Sequence, residues 1–98
     1  MKLVKKIKVR NPMGIHTRPA ACIVQLLQNS KCEVSLTYRK ETVNARSILN
    51  ILMLAIHQHA SVTITVENID EENAELTMQK LVDAFECGFQ EPILPIAK

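Results

Sequence analysis

Val62-Thr63-Ile64-Thr65-Val66 alternates branched apolar side chains with hydroxyls at a strict period of two. That is the pattern of a strand with one buried and one wet face, and no other segment reads so clearly as β. Downstream, Asp70 can cap a helix in which Glu71, Glu72 and Glu75 complement the positive end. Ala74, Met78, Leu81, Val82 and Phe85 form its buried stripe, and Gly88 is placed to end it. Upstream, Ser47 precedes Ile48, Leu49, Ile51, Leu52 and Ala55, which predicts a short helix with Ser47 as N-cap. Before that, Cys32, Val34, Leu36 and Tyr38 alternate with polar residues, Arg39-Lys40-Glu41 turns the chain, and Thr42-Val43-Asn44 is extended again, as in a hairpin. Ala20, Ile23, Val24 and Leu27 recur at helical spacing from about Arg18 until Gln28-Asn29-Ser30 stops the pattern. Lys6-Ile7-Lys8-Val9-Arg10 opens the series as a half-buried strand, with Ile7 and Val9 inward, and Asn11-Pro12-Met13-Gly14 ends it. The order βαββαβα predicts a two-layer α+β domain over residues 1–90, with three helices on one face of a mostly antiparallel four-stranded sheet. Residues 91–98 carry two prolines and read as a C-terminal tail.

At 98 residues, 47% hydrophobic and 22% charged, the chain is sized for one soluble domain with one core, which excludes a large multi-substrate enzyme. The longest apolar run, Ile51 to Ile56, is far short of the roughly 20 residues that span a bilayer, so membrane insertion is not expected. The basic start Met1 to Lys6 is followed by no apolar h-region, so no signal peptide is read and the cytoplasm is the expected location. Cys22, Cys32 and Cys87 are odd in number and lack CxxC spacing. They are expected to be reduced and mostly buried. Residues 1–50 hold 10 Lys/Arg against 2 Asp/Glu, and residues 51–98 hold 2 against 8. This asymmetry predicts a basic face suited to anionic ligands or an acidic partner.

Gly14-Ile15-His16-Thr17-Arg18-Pro19-Ala20 lies where the first strand gives way to the first helix, and there unpaired N–H groups and the positive helix end favour an anion. Gly14 permits a turn with positive φ, His16 brings an imidazole lone pair, and Arg18 offers a planar fork matched to phosphate oxygens. Pro19 lacks an N–H at no cost in a first turn, but it disfavours helical geometry at Arg18, so the cap is either His16 or Arg18. On these residues alone a histidine cap beside a solvated arginine explains the stretch as simply as a phosphate-handling site does.

The same seven residues resemble the active-site motif of the HPr family of histidine-containing phosphocarrier proteins. Thr42-Val43-Asn44-Ala45-Arg46-Ser47-Ile48 with Leu49 to Leu54 resembles the family's third strand and second helix, and the likeness covers about residues 1–90. The resemblance implies the family's open-faced β-sandwich and a carrier rather than an enzyme, without a cofactor and acting as a monomer. It implies that His16 accepts a phosphoryl group from phosphoenolpyruvate-charged enzyme I and donates it to sugar-specific EIIA proteins, with Arg18 on the phosphate. By family position Thr17, Ala21, Ile48, Leu49 and Leu52 would form the docking patch. Because helical spacing cannot bury Leu49 together with Ile51, Leu49 is expected to be exposed and Ile51 buried. Lys6, Lys8 and Arg10 are read as a solvated strand face.

Ser47 matches the position that a dedicated HPr kinase/phosphorylase modifies in many bacteria, a role compatible with an N-cap. The family commonly has glycine where this chain has Asn50, Ala55 and His59, and the last is the most informative departure, because glycine there normally takes positive φ. His57-Gln58-His59 offers two metal ligands without a third and is read as a surface loop. RNA-binding domains share the element order but stack bases on sheet aromatics, and the three aromatics here, Tyr38, Phe85 and Phe89, form no such cluster, so no nucleic acid is expected. The remaining alternative is a regulatory HPr-like protein whose output is Ser47-dependent binding of a regulator or enzyme, without sugar uptake.

Overall fold

The computed structural model describes residues 1–91; the other residues of the expected tail, 92–98, lie outside the described residues. Strands β1 (Lys2–Lys8), β2 (Glu33–Tyr38), β3 (Glu41–Asn44) and β4 (Ser61–Glu67) alternate with helices α1 (Thr17–Leu27), α2 (Ile48–Met53) and α3 (Glu71–Glu86), followed by a 3-10 turn at Gly88–Gln90. The sheet order is β1-β4-β2-β3 and every pairing is antiparallel. This is the open-faced α+β sandwich expected from the sequence.

The clarity of the β4 pattern follows from its place between β1 and β2. Val62, Ile64 and Val66 are fully buried under the helices, with Val66 opposite both Leu3 and Val34, while Thr63 and Thr65 point to the other face. From the helices, Ile23, Leu27, Ile51, Leu81 and Phe85 are buried completely against that face. The stripe expected on α3 is buried as read, with Thr77 added to it. Asp70 caps α3 by accepting from the Glu72 N–H at 3.0 Å, and Ser47 caps α2 by accepting from the Asn50 N–H at 3.2 Å.

Three expectations need correction. The first strand runs over Lys2–Lys8 rather than Lys6–Arg10, because the seven residues of β4 offer pairing as far as Lys2 opposite Glu67. Exposed Lys5 interrupts the inward row of Leu3 and Ile7 and hides the period. Val9 leaves the ladder, yet its N–H donates to the Ala60 carbonyl at 2.9 Å and its carbonyl accepts from His59 N–H at 2.8 Å. The cysteines are free, but only Cys32 is fully buried; Cys22 is half-buried and Cys87 exposed at the end of α3. Burial, with Cys87 adding to it, raises the Cys22 thiol pKa. The hairpin turn is also tighter than Arg39-Lys40-Glu41, for Glu41 already begins β3 and Arg39 (φ 51°) and Lys40 (φ 70°) make a two-residue reversal.

Ala55 (φ 51°) and His59 (φ 72°) occupy left-handed conformations, so the backbone around α2 keeps the shape that glycine would serve more cheaply. Arg46, half-buried, donates to the carbonyls of Leu27 (2.6 Å), Ser30 (2.7 Å) and Cys32 (2.6 Å). It thereby satisfies the end of α1 and ties it to the start of β2. Among the described residues no helix is long and apolar enough to cross a membrane.

Candidate functional site

The site begins in the turn after Val9. Gly14 N–H donates to the Asn11 carbonyl at 3.0 Å, and Gly14 itself is left-handed at φ 66°. Ile15, buried, donates its N–H to the Ile56 carbonyl at 2.9 Å, which pins the approach to α1 against the residues just past α2. The cap left open between His16 and Arg18 is His16: its backbone is extended (φ −99°, ψ −162°) and its carbonyl accepts from Ala20 N–H at 3.0 Å. Pro19 has no N–H to satisfy, so Thr17 and Arg18 supply the first-turn donors that an incoming anion could meet.

The His16 side chain is 32% exposed, and its Nε2 lies 2.9 Å and 3.1 Å from the two carboxylate oxygens of Glu91. A carboxylate only accepts, so the hydrogen sits on Nε2, and in the neutral ring Nδ1 keeps its lone pair. Asn11, fully buried, gives one side-chain N–H to the Gly14 carbonyl and the other to Glu91 Oε1 at 3.1 Å. Arg18 is exposed two residues after His16, and among the described residues its guanidinium has no ion-pair partner.

Of the other residues singled out from sequence, Thr17 is exposed and Ala21 half-buried on α1, one helical turn apart. On α2, Leu49 is 68% and Ile48 37% exposed, Leu52 is half-buried, and Ile51 is fully buried. Leu49 and Ile51 therefore divide as the helical spacing required. Ser47 is half-buried at the start of the same helix. Met53 (71% exposed) and Met13 (75%) were not anticipated as part of the apolar surface. Met53 was findable, four residues beyond Leu49 on one helical face; Met13 was not, since its loop is brought to the segment after α2 by long-range bonds such as that from Ile15 to Ile56. Glu91 and Asn11 carried no local signal either. Lys6 and Lys8 are exposed on the outer face of the sheet. His57 and His59 are exposed, and among the described residues no group of three His, Cys, Asp or Glu could hold a metal ion.

The open-faced α+β sandwich thus presents a half-exposed His16 as the cap of its first helix. Residues 3–86 match the family described as PTS HPr component phosphorylation site. The chain is similar to phosphocarrier protein HPr of Chlamydia muridarum (strain MoPn / Nigg), at 43% identity over 83 residues that cover 85% of this chain and 77% of the relative. Among solved structures it resembles HPr-C-His from Thermoanaerobacter tengcongensis, with TM-score 0.83, 31% identity, and 92% of this chain and 98% of that one covered. It also resembles phosphocarrier protein HPr from Bacillus anthracis str. Ames, with TM-score 0.77, 32% identity, and 86% and 96% covered. The chain belongs to the HPr family of phosphocarrier proteins of the phosphotransferase system.

Proposed function

We propose that His16 accepts a phosphoryl group from phosphoenolpyruvate-charged enzyme I in the cytoplasm and passes it to sugar-specific EIIA proteins, the protein itself acting as a covalent carrier and not an enzyme. The observation that carries this reading is the placement of a half-exposed His16 ring immediately before the Thr17 and Arg18 N–H groups of α1, in a chain of this family. Phosphoryl transfer passes through a loose transition state, so positioning and charge stabilisation do most of the work and the partner proteins can supply the remaining groups. The helix end contributes only about 0.3–1 kcal/mol toward an anion. A carrier needs such weak holding, because a site that binds phosphate tightly would trap it. Thr17, Ala21, Ile48, Leu49 and Leu52 are the docking surface in this reading, and Ser47 is the residue a kinase would modify to regulate it.

Arg18 acts on the phosphate and not in the core, consistent with its exposure. Arg18→Ala is expected to melt as the native protein does but to pass phosphate to EIIA roughly ten- to a hundredfold more slowly, the loss of one charge-assisted hydrogen bond of about 1.5–3 kcal/mol. Arg18→Lys should recover only part of the rate, because a point charge replaces a fork. The check is a reconstituted relay of phosphoenolpyruvate, enzyme I, this protein and an EIIA, followed by rapid quench. Native kinetics in Arg18→Ala would remove Arg18 from the site, and absence of any adduct on the native protein would favour the purely regulatory reading.

A further inference from the structure

Glu91 stands 75 residues from His16 in sequence, yet its carboxylate is hydrogen-bonded to the ring. Its sign is wrong for a phosphate site, so its presence needs a reason. The path that brings it there is costly. Gly88, Phe89 and Gln90 are left-handed in succession (φ 64°, 56° and 64°), and only the first is glycine. Such backbone persists where surrounding contacts over-determine it. Here Phe89 is buried edge-on against Phe85 with ring centroids 4.8 Å apart, and Glu91 N–H donates to the Gly88 carbonyl at 2.9 Å. The side chain is then held from a third direction by the buried amide of Asn11.

The geometry points to Glu91 as the residue that positions His16 for phosphoryl transfer, by accepting the Nε2–H and so directing the Nδ1 lone pair outward, with Asn11 holding the carboxylate in place. This inference rests on the reading of His16 as acceptor. In the step itself, the Nδ1 lone pair forms the N–P bond while the donor's bond to phosphorus breaks and its electron pair leaves with the donor. The Nε2 proton stays on the ring, which gains one positive charge as the donor group loses one. Glu91 then faces that new charge from the side of the ring away from phosphorus, closer to the ring than to the phosphate. The arrangement parallels the general use of a carboxylate to fix the tautomer and orientation of a working imidazole.

Glu91→Gln and Glu91→Ala separate orientation from charge. The nitrogen NMR shifts of the His16 ring report the tautomer, and rapid-quench kinetics with purified enzyme I and phosphoenolpyruvate report acceptance. The native ring is expected as the Nε2–H tautomer. Glu91→Gln, whose amide oxygen still accepts, keeps that tautomer but accepts phosphate several-fold more slowly; Glu91→Ala shifts the ring toward the Nδ1–H form and slows acceptance by about tenfold or more. A native tautomer with Nε2 unprotonated, or acceptance by Glu91→Ala at the native rate, overturns the proposal. Faster acceptance by Glu91→Ala overturns it too, and makes the carboxylate an obstruction. Failure of the native protein to take phosphate on His16 is a different result: it removes the acceptor reading, whereas the tautomer measurement still decides whether Glu91 directs the ring.

Discussion

Gly14→Ala is expected to destabilise the protein by about 3 kcal/mol, the combined cost of a left-handed non-glycine residue and of overpacking a closed site. Gly14 is buried at φ 66°, and a Cβ built on it would run into the Ile56 carbonyl oxygen and the His57 backbone. Neither neighbour can yield cheaply. The Ile56 carbonyl is the acceptor for Ile15 N–H, so relief of the clash stretches the bond that sets the entry to α1. For a chain of this size such a loss lowers the melting temperature by roughly 10–20 °C. Thermal melts of the native protein and Gly14→Ala followed by circular dichroism make the comparison. A shift of only a degree or two would contradict the turn described for residues 11–14, and with it the placement of His16.

Phosphorylation of Ser47 is expected to do the opposite: little to the fold and much to the docking. The Ser47 oxygen already accepts from Asn50 N–H, and a phosphate there keeps acceptor oxygens at the start of α2. With only six residues, α2 adds a small dipole contribution, so the melting temperature should be equal or slightly raised. The new charge of about −1.5 to −2 would stand beside exposed Ile48 and Leu49. It would oppose the burial of that surface and repel the acidic partner surface that the basic first half of the chain is suited to meet. Acceptance from enzyme I is therefore expected to slow by about tenfold or more in the phosphoserine form, and by less in Ser47→Asp, whose single charge is the weaker substitute. Melting and acceptance rate measured on the same preparations distinguish the two effects. Native acceptance rates in both forms would leave Ser47 a helix cap only.

Legibility in the sequence followed how local each determinant was. Strand β4 was plain because a central strand buries one whole face, and α3 was plain because Asp70, the acidic first turn and five stripe residues agree. The start of β1 was obscured by Lys5, which occupies an inward position at the sheet edge where water still reaches it. His16 and Arg18 were marked by a seven-residue motif at an element junction, and the exposure of Leu49 by helical geometry. Three features had no such signal. Arg46 works through three carbonyls from a different part of the chain, and Glu91 meets His16 and Asn11 only because the left-handed turn at residues 88–90 brings it back to them. Cys87 was expected inside on its residue type, but it follows Glu86 on the exposed side of the end of α3, with Phe85 taking the buried side.

The most direct measurement is the intact mass of the protein after incubation with phosphoenolpyruvate and enzyme I, with the site located by fragmentation under alkaline conditions and His16→Ala run in parallel. One acid-labile phosphoryl group on His16, absent from the folded His16→Ala variant, is the predicted result. His57 and His59 lack the helix-start donors and the neighbouring arginine, so neither should take its place. An acid-labile adduct that persists in His16→Ala, or a native protein that gains none, would contradict the account.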